Sequence, residues 1–547
     1  MTINATPPPV VERGWRSAAP ARARRAGTIL EIHEKSPPTL FFDGPSMRLE
    51  RLPVGTRVIY PQPSLRGLAD VDAAISAALG NPSDMEPLEA LLKPGMRLTI
   101  SFDDVSLPLP QMRPPDIRGR IIEEIVARAY RAGVDDIHLI GATAFHRRMT
   151  EAELKHLLGP NVFAEFYPDR LYSHDAEDPD NIAFLGETEK GEKVELNRRA
   201  AESDLLIHVS VKLTPMQGGR KSVPVGLGTY QSLRAHHTAH ALKQSRSFLD
   251  PENSELHHSS GRQGDVVASA VRLMQIEVTL NNDSYPRSLS FLGKPEPMWT
   301  RREQLTFASM ARAMRRLPAN RRSAAIQGMR APYQVTGIFA GEVNAVNAAG
   351  AESCAAQLEV PVEGQTDILT TGVHDIGPYN VNSTMNPILV MCMALGYYFN
   401  LYHGKPLVRE GGVLIFTHPV RREFHPVHHP SYIDFYEEVL PQAKDPAEVE
   451  RFEQSYAEDE WYRHLYRTSY SFHGAHPFYM WYWGAHALDH VGAVIFVGGD
   501  PEVCRHMGFR SASTMQDAIE MAKDVVGTSS PSMTQLHFPP AMYCKVT

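Results

Sequence analysis

The chain of 547 residues is long enough to form two or three domains with hydrophobic cores. Its hydrophobic fraction of 43% and charged fraction of 22% are those of an ordinary globular protein. The net charge of -8 argues against a general nucleic-acid binder, because binding to phosphates needs a concentrated basic surface. No apolar run in the sequence reaches the roughly 20 residues that a membrane-spanning helix needs.

The beginning of the chain differs in composition from the rest. It is rich in arginine, proline and alanine, and we predict a disordered tail over residues 1–27. A transit peptide is the alternative, since such peptides are also arginine-rich, but this stretch lacks amphipathic periodicity. The four cysteines are scattered without paired spacing, which favours the reducing cytoplasm over a secreted disulfide framework.

The next part of the chain alternates between strand and helix patterns. Short apolar runs broken by glycine and proline over 28–63 predict small strands. A strand is predicted at 97–101, a helix at 117–129 from apolar residues three and four apart, and another strand at 136–140. A strand, a helix and a strand joined by short connections form a βαβ unit. This part of the sequence therefore predicts a parallel sheet covered by helices.

The same pattern returns later in the chain. Short apolar runs predict further strands at 205–207, 412–416 and 493–497, and a helix follows over 515–526. The fold class we expect is α/β, with two domains of mainly parallel sheets flanked by helices and a cleft between them. The predicted units are an N-terminal catalytic domain over 28–300, rejoined by about 527–547, and a C-terminal α/β domain over 301–526.

Ligands bind beyond the carboxyl ends of the strands in open α/β sheets. Three loops satisfy this rule: Asp103–Asp104, Gly141–His146 and His208–Lys221. His146 in the second loop can take up and return a proton near neutral pH. The alternative is a surface histidine beside two solvated arginines.

The third loop continues into a histidine-rich segment. Gly218 and Gly219 let the backbone approach a ligand closely. The loop is not a phosphate-binding P-loop, because that motif needs glycine directly before its lysine and Arg220 stands there. His236 and His240 would share one helix face, as zinc ligands can, but such histidines are more often structural.

Five short segments follow one another in a characteristic order. They are Asp103–Asp104 before a Pro-x-Pro, Phe145–Arg147 before Met149–Thr150, His174–Asp175 before Leu185–Thr188, Asn197 before Asp204–Ile207, and Gly218–Gly219 before Lys221–Ser222. Taken in this order, they resemble the lactate racemase (LarA-like) family. The resemblance runs from about residue 95 to the C-terminus and is strongest between 100 and 240.

This resemblance implies a cofactor and a reaction. Lys221 would carry a covalently attached nickel-pincer nucleotide, and His237, sixteen residues later, would coordinate the nickel, with His236 as a further metal candidate. His146 matches an acid/base histidine that removes the hydroxyl proton of a 2-hydroxy acid while hydride passes to the cofactor. The ketone then takes the hydride back on its other face. The implied partners are the hydroxy acid and the enzymes that make the cofactor. The other cofactor-binding residues would be Asp104, Gly218 and Gly219.

Two positions depart from the family pattern. Leu107 replaces the arginine that binds the substrate carboxylate, and a lost guanidinium is a lost bidentate clamp. Val211 replaces the second acid/base histidine. The candidates for binding the substrate carboxylate are Arg147, Arg220 and Arg234. The candidates for the second acid/base residue are His208, Lys212 and His236.

The distal asparagines point to the substrate class. Asn382 and Asn386 stand where the family uses glutamine and lysine, and neutral amides suit hydroxyl groups better than anions. Trp481 is a further candidate for the wall of the cleft. We therefore predict a racemase or epimerase of a 2-hydroxy acid, polyhydroxylated or otherwise larger than lactate. The alternatives are a non-catalytic metabolite-binding relative and a zinc or iron hydrolase or lyase that uses His236, His237 and His240.

Overall fold

A computed structural model describes residues 15–17, 28–107 and 109–547 of the chain. The strands in chain order are β1 (Trp15–Ser17), β2 (Ile29–Ile32), β3 (Thr39–Asp43), β4 (Ser46–Glu50), β5 (Arg57–Ile59), β6 (Arg97–Asp103), β7 (Gln111–Met112), β8 (Asp136–Ala142), β9 (Leu171–Ser173), β10 (Ile182–Glu187), β11 (Lys193–Asn197), β12 (Leu205–Lys212), β13 (Leu273–Leu280), β14 (Arg330–Ala331), β15 (Val335–Gly341), β16 (Glu359–Val362), β17 (Thr366–Gly372), β18 (Tyr402–Gly404), β19 (Val408–Thr417), β20 (Ala493–Val497), β21 (Arg510–Ala512), β22 (Met533–Leu536) and β23 (Tyr543–Val546).

The α-helices lie between these strands and cover the sheets. In chain order they are α1 (Val71–Gly80), α2 (Leu88–Leu91), α3 (Ile117–Arg131), α4 (Glu151–Phe166), α5 (Arg198–Ala201), α6 (Ser222–Gly226), α7 (Tyr230–Leu233), α8 (Ala239–Lys243), α9 (Glu255–Ala270), α10 (Arg301–Arg316), α11 (Ala319–Gln327), α12 (Val343–Leu358), α13 (Pro387–Met391), α14 (Pro430–Asp434), α15 (Pro446–Val449), α16 (Glu453–Ala457), α17 (Glu460–Thr468), α18 (His476–Tyr482), α19 (Ala485–His490), α20 (Pro501–His506) and α21 (Met515–Val526). None of the helices within the described ranges has the length and apolar character needed to cross a membrane.

The first large sheet has the strand order β15-β13-β12-β6-β8-β9. Its strands pair in parallel except for the edge strand β15, which runs antiparallel to β13. Strand β12 is buried along its whole length, as expected for a strand covered by helices on both faces. The predicted strands at 97–101, 136–140 and 205–207 are confirmed, and so is the α/β class.

Helix α3, between β6 and β8, has its apolar residues on one face, as the sequence pattern predicted. Ile121, Ile122 and Ile125 of α3 are all fully buried, which places its apolar stripe against the sheet. The side chain of Asp116 caps its first turn by accepting a hydrogen bond from the amide of Arg118 at 2.9 Å. Gly133, with φ of 76°, follows its end.

The second large sheet corrects the predicted domain boundaries. Its order is β1-β2-β5-β22-β17-β19-β20-β21, so strands from the beginning of the chain lie beside strands from its end. Strand β5 pairs in parallel with β22, while β15 belongs to the first sheet. The units 28–300 and 301–526 are therefore not the units that the sheets define. The pattern of a strand does not specify its partner, because pairing depends on contacts between distant segments.

The segment 1–27, predicted as a disordered tail, lies mostly outside the described residues. Within it the structure describes β1, which pairs antiparallel with β2. The predicted strands at 412–416 and 493–497 are confirmed as β19 and β20, and the predicted helix over 515–526 as α21.

Segments from the second half of the chain lie over the carboxyl edge of the first sheet. The amide of His473 donates a hydrogen bond to the carbonyl of Phe145 at 3.1 Å, and the His473 ring stacks on the Phe145 ring with centroids 4.1 Å apart. Helix α18 begins three residues later. This contact places α18 against the loop that follows β8.

Candidate active site

A cavity of about 220 Å³ lies beyond the carboxyl ends of β6, β8 and β12. All three predicted loops contribute to its lining, through residues that include Asp104, His146 and Lys221. The opposite wall comes from the second half of the chain, through Tyr379, His476 and other residues. The cavity therefore lies at the strand ends from which the sequence analysis expected a ligand site.

Asp104 and His146 form a hydrogen-bonded pair in this cavity. The Nδ1 atom of His146 lies 2.8 Å from Oδ2 of Asp104. Asp104 is buried, which acts to raise its pKa, but His146 and the hydrogen bonds from His146 and Ser106 outweigh burial and lower the pKa. A carboxylate accepts only, so Nδ1 of His146 carries a proton and Nε2 keeps its lone pair. His146 can therefore act as a base through Nε2. Asp104, predicted to bind the cofactor, is placed to orient His146.

Lys221 also lines this cavity, at the end of a short 3₁₀ turn that begins at Gly219. Burial and the positive charge of Lys212 lower the pKa of the Lys221 amine to about 8, against the opposing effect of Asp103 and Glu277. A larger fraction of this amine is therefore uncharged at neutral pH than for an ordinary lysine. An uncharged amine is the form that reacts with a carbonyl or thiocarboxyl carbon.

His237 also lines the cavity. Its Nδ1 atom lies 3.2 Å from the carbonyl oxygen of Leu233, and a carbonyl only accepts, so Nδ1 carries the proton. Burial lowers the pKa of His237 to about 4, against the opposing effect of that hydrogen bond. Its ring stacks on Tyr479 with centroids 4.8 Å apart. The neutral ring thus has Nε2 available as a metal ligand, in an orientation fixed by packing.

A buried ion pair lies behind Lys221. The Nζ atom of Lys212 lies 3.1 Å from Oε2 of Glu277, and both side chains are fully buried. The other oxygen of Glu277 accepts a hydrogen bond from the amide of Gly219 at 2.7 Å. This arrangement corrects the prediction for Lys212, which is held in the ion pair and does not line the cavity. Gly219 likewise supports the turn, whereas Gly218 does line the cavity.

The structure corrects the prediction for His208 as well. Its Nδ1 atom lies 2.8 Å from the hydroxyl of Ser101, within the sheet, and the residue is fully buried and does not line the cavity. Val211 is buried in the core, and its amide donates to Asp103 at 3.0 Å. None of these strand residues reaches the cavity as a second proton donor or acceptor, because the side chains of β12 pack between covering layers.

Arg147 and Asn382, predicted to bind substrate, are both committed to Glu153. Arg147 makes two hydrogen bonds to the Glu153 carboxylate, at 2.9 and 2.6 Å, and Asn382 donates to it at 2.8 Å. Glu153 also completes the capping box of α4 with Thr150. Arg147 and Glu153 are buried, Asn382 is exposed, and none of the three lines the cavity, so the role predicted for Arg147 and Asn382 needs correction.

Three other predicted substrate residues also lie outside the cavity lining. Arg234 lies over the ring of Tyr230, 5.4 Å from its centroid. Asn386 caps α13 by accepting a hydrogen bond from the amide of Leu389 at 3.0 Å. Trp481 is buried and donates to the carbonyl of Lys444 at 2.8 Å. Trp483, two residues further on, is the tryptophan that lines the cavity.

The predicted zinc cluster is not assembled. His240 is exposed, and His236 is buried outside the cavity lining with both ring nitrogens unpartnered. In the part of the chain that the structure describes, no group of three or more histidine, cysteine or acidic residues is arranged to hold a metal ion. His236 therefore does not join His237 as a second metal ligand, and the zinc or iron hydrolase alternative lacks its ligand set.

Most of the aromatic wall from the second half of the chain was not predicted from the sequence. Tyr379, Tyr397, Tyr479 and His476 all line the cavity. The Tyr379 and Tyr397 hydroxyls lie 3.1 Å apart, and the ring of Tyr379 lies 5.1 Å from that of His146. Trp481, which was predicted for this wall, does not line the cavity, while no sequence signal marked Tyr379 or Tyr397.

The fold and the cavity together define a class of protein. It is an α/β protein with a small-molecule cavity at the carboxyl edge of a mainly parallel sheet, closed by helices from the second half of the chain. Within the cavity are a lysine of lowered pKa, a histidine with an available Nε2 and a carboxylate–histidine pair.

Comparisons with known proteins agree with this class. Residues 49–250 match the lactate racemase N-terminal domain family. The lactate racemase of Lactiplantibacillus plantarum is 27% identical over 217 residues, which cover 38% of this chain and 48% of that protein. The lactate racemase of Thermoanaerobacterium thermosaccharolyticum is 27% identical over 189 residues, which cover 34% of this chain and 42% of that protein. The chain thus matches about half the length of these curated relatives.

A solved structure extends the likeness over the whole fold. The lactate racemase apoprotein from Thermoanaerobacterium thermosaccharolyticum superposes with a TM-score of 0.61 and 18% identity, covering 93% of this chain and 100% of that chain. This shows a shared fold. The N-terminal domain match adds a likeness in sequence to lactate racemases over residues 49–250.

Proposed function

We propose that this protein is an isomerase that racemises or epimerises a 2-hydroxy acid with a nickel-pincer nucleotide attached to Lys221. One observation carries the proposal: Lys221, His237 and the Asp104–His146 pair line a single cavity. Lys221 and His237 are the residues that the family resemblance assigns to the cofactor, and they are sixteen positions apart in the sequence.

The chemistry of the two side chains fits this cofactor. Lys221 supplies an amine whose lowered pKa favours the form that can be acylated. His237 supplies a neutral imidazole with Nε2 free, a ligand that suits nickel(II). When bound, the nickel-pincer group supplies the acceptor and donor for the hydride that leaves and returns to the 2-carbon of the substrate.

The protein contributes the movement of the hydroxyl proton. His146 takes this proton at Nε2, while its Nδ1–H stays hydrogen-bonded to Asp104. The negative charge of Asp104 stabilises the imidazolium that forms, as in other carboxylate–histidine pairs. The aromatic wall of Tyr379, Tyr479 and Trp483 excludes water from the reacting carbon.

The lining of the cavity supports a substrate richer in hydroxyl groups than lactate. Leu107 lines the cavity at the position of the family's arginine, and among the described lining residues there is no arginine. Its uncharged polar groups include those of Thr214, Gln217, Asn400 and Tyr397. Amides and hydroxyls both donate and accept, which suits sugar-acid hydroxyls. The preference for a hydroxyl-rich substrate is therefore attributed to these lining residues, and no longer to Asn382 and Asn386.

A substrate panel tests the proposal. Cofactor-loaded protein is incubated with single enantiomers of lactate, 3-phenyllactate, glycerate and six-carbon sugar acids, and chiral chromatography follows the appearance of the opposite configuration. We expect turnover of a polyhydroxylated or larger acid, and none by Lys221→Ala. Turnover of lactate alone would contradict the proposed substrate class, and turnover of no acid would contradict the proposed activity.

The same panel separates the alternative of a non-catalytic metabolite-binding relative, which the loss of the family's arginine at Leu107 favours. Such a protein would be stabilised against heat by one of these acids without converting it.

All four cysteines are buried and unpaired, which agrees with the cytoplasmic location that we propose.

A further inference from the structure

His476 is a buried histidine of the cavity wall that the family resemblance assigns no role. It is 2% exposed, lines the cavity, and its Nε2 atom has no hydrogen-bond partner among the described residues. An unpaired buried polar atom is unfavourable, so a ligand that supplies a hydrogen-bond partner for it binds more tightly. The position of His476 next to His146 makes this atom relevant to the reaction.

A neighbouring tyrosine fixes the tautomer of His476. The hydroxyl of Tyr432 lies 2.5 Å from Nδ1, and Tyr432 is fully buried. No second acceptor for this hydroxyl occurs among the described residues, so it satisfies its hydrogen only by donating to Nδ1. Burial and the nearby His146 lower the pKa of His476 well below its usual range, so the ring is neutral. Its proton therefore resides on Nε2.

His146 and His476 present opposite hydrogen-bonding character to the cavity. Their ring centroids are 5.5 Å apart and their planes are inclined at 81°. Nε2 of His146 offers a lone pair, because its Nδ1 is bonded to Asp104. Nε2 of His476 offers an N–H. The backbone hydrogen bond from His473 to Phe145 holds the two segments together. One oxygen atom between the rings can donate to the first and accept from the second.

We infer that His476 is a further catalytic residue, which donates a hydrogen bond from Nε2 to the oxygen on the 2-carbon of the substrate. The inference rests on the proposed function. It adds a hydrogen-bond donor to a site in which Val211 replaces the family's second histidine and Leu107 replaces its arginine. The substrate hydroxyl donates to His146 and accepts from His476. When the hydroxyl proton moves to His146 and the carbon loses hydride, the oxygen becomes a ketone oxygen that still accepts from His476. No proton leaves His476, and a neutral imidazole donor of this kind polarises a carbonyl.

The test compares ligands that differ only in this oxygen. Cofactor-loaded wild type, His476→Phe, His476→Gln and Tyr432→Phe are compared for binding of phenylpyruvate, which has the 2-oxo group, and 3-phenylpropanoate, which lacks it. Binding constants come from calorimetry, and kcat/KM from the best substrate of the panel. Intact mass confirms the lysine adduct, and thermal melting confirms folding of each variant.

We expect wild type to bind the 2-oxo acid about tenfold or more tightly than the oxygen-free acid, and His476→Phe to lose this preference. Its kcat/KM should fall by about 10²–10³, the effect of removing one donor to a developing carbonyl or oxyanion. His476→Gln, which keeps an N–H, should recover part of both. Tyr432→Phe should show a smaller loss, because the tautomer is then no longer fixed.

Two results would overturn the assignment. One is a wild-type preference that persists in folded His476→Phe. If His476→Phe does not fold, the corresponding result is a preference that is undiminished from wild type in both Tyr432→Phe and His476→Gln. The other is a wild type that shows no preference for the 2-oxo acid, including binding of neither ligand. A wild type with the preference but without racemisation would contradict the proposed function, while supporting the His476 contact.

Discussion

At the residue scale, Asp104 decides how His146 is used. Its carboxylate accepts from Nδ1 of His146 at 2.8 Å and from the amide of Ser106 at 2.9 Å. The carboxylate therefore holds the ring in one tautomer, which leaves Nε2 available for the role of base that we propose. A neutral amide in its place can donate to Nδ1 and reverse the tautomer.

We therefore expect Asp104→Asn to lower kcat/KM by about 10²–10⁴ with little change in melting temperature, because the amide fits the same space but favours the inactive tautomer. Steady-state racemisation rates and thermal melting measure this. Ser106→Ala, which removes only one donor to the carboxylate, is the matched control and should lose about tenfold or less. Equal activity of Asp104→Asn and wild type would show that His146 is not the base.

Lys221 gives a second prediction at this scale. With a pKa of about 8, roughly 10% of its amine is uncharged at pH 7, compared with less than about 0.1% for an ordinary lysine. Reductive methylation of the cofactor-free protein should therefore modify Lys221 half-maximally near pH 8. Peptide mapping by mass spectrometry follows the rate against pH, with the exposed Lys93 as the internal reference. A Lys221 rate that parallels that of Lys93 up to pH 10 would contradict the lowered pKa.

At the scale of elements, the turn before Lys221 depends on Gly218. Its φ is 86°, and an added Cβ would overlap Oε1 of Glu277 and lie 2.8 Å from Nζ of Lys212. Gly218→Ala should lower the free energy of unfolding by about 1–3 kcal/mol, since it strains the backbone and disturbs a buried ion pair.

Urea denaturation measures this change, and the chain offers a matched control. Gly261 lies in helix α9, where an added Cβ would meet no atom within 4 Å. Gly261→Ala should leave the stability unchanged or raise it by up to about 1 kcal/mol. Similar values for both variants would mean that the turn is not constrained as described.

The elements also show how far sequence patterns carry. The apolar period of three and four residues located α3, and the buried runs located β6, β8 and β12, because these patterns are set by burial within a single element. The partners of β5 and β15 were not predictable, since pairing is decided between segments far apart in the chain. Arg147 was predicted to bind substrate because the sequence does not show that its guanidinium pairs with Glu153.

At the scale of the whole molecule, Glu453 links the two halves of the chain. It accepts hydrogen bonds from Tyr230 and from Tyr482, both at 2.9 Å, and it is 4% exposed. Burial raises its pKa to about 7, although the two hydrogen bonds act to lower it. The folded state thus binds a proton between about pH 4.5 and 7 that the unfolded state lacks. Stability therefore decreases as pH rises through this window.

Glu453→Gln should remove this dependence, because its amide stays neutral and can still bond both hydroxyls. Relative to the variant, wild type should lose on the order of 3 kcal/mol of unfolding free energy between pH 4.5 and 8. Urea denaturation across this range measures it, and the exposed Glu410→Gln is the control. Parallel pH profiles for wild type and Glu453→Gln would show that the carboxyl is ionised throughout.

The assembly of the cavity explains which site residues the sequence could predict. Lys221, His237 and His146 lie in segments whose order resembles one family, so they could be proposed as site residues before the fold was known. His476 lies 255 positions beyond Lys221 and enters the cavity only because α18 packs against the loop after β8. Contacts of that kind are a property of the folded molecule and leave no local pattern in the sequence.

The most direct test of the account is the intact mass and nickel content of the protein produced together with the cofactor-making enzymes. Wild type should carry the mass of the pincer nucleotide on the peptide that contains Lys221, with about one nickel per chain. His237→Ala should keep the added mass and lose most of the nickel, and Lys221→Arg should lose both. A wild-type chain with unmodified Lys221 and no nickel, from a host that loads a known lactate racemase, would contradict the account.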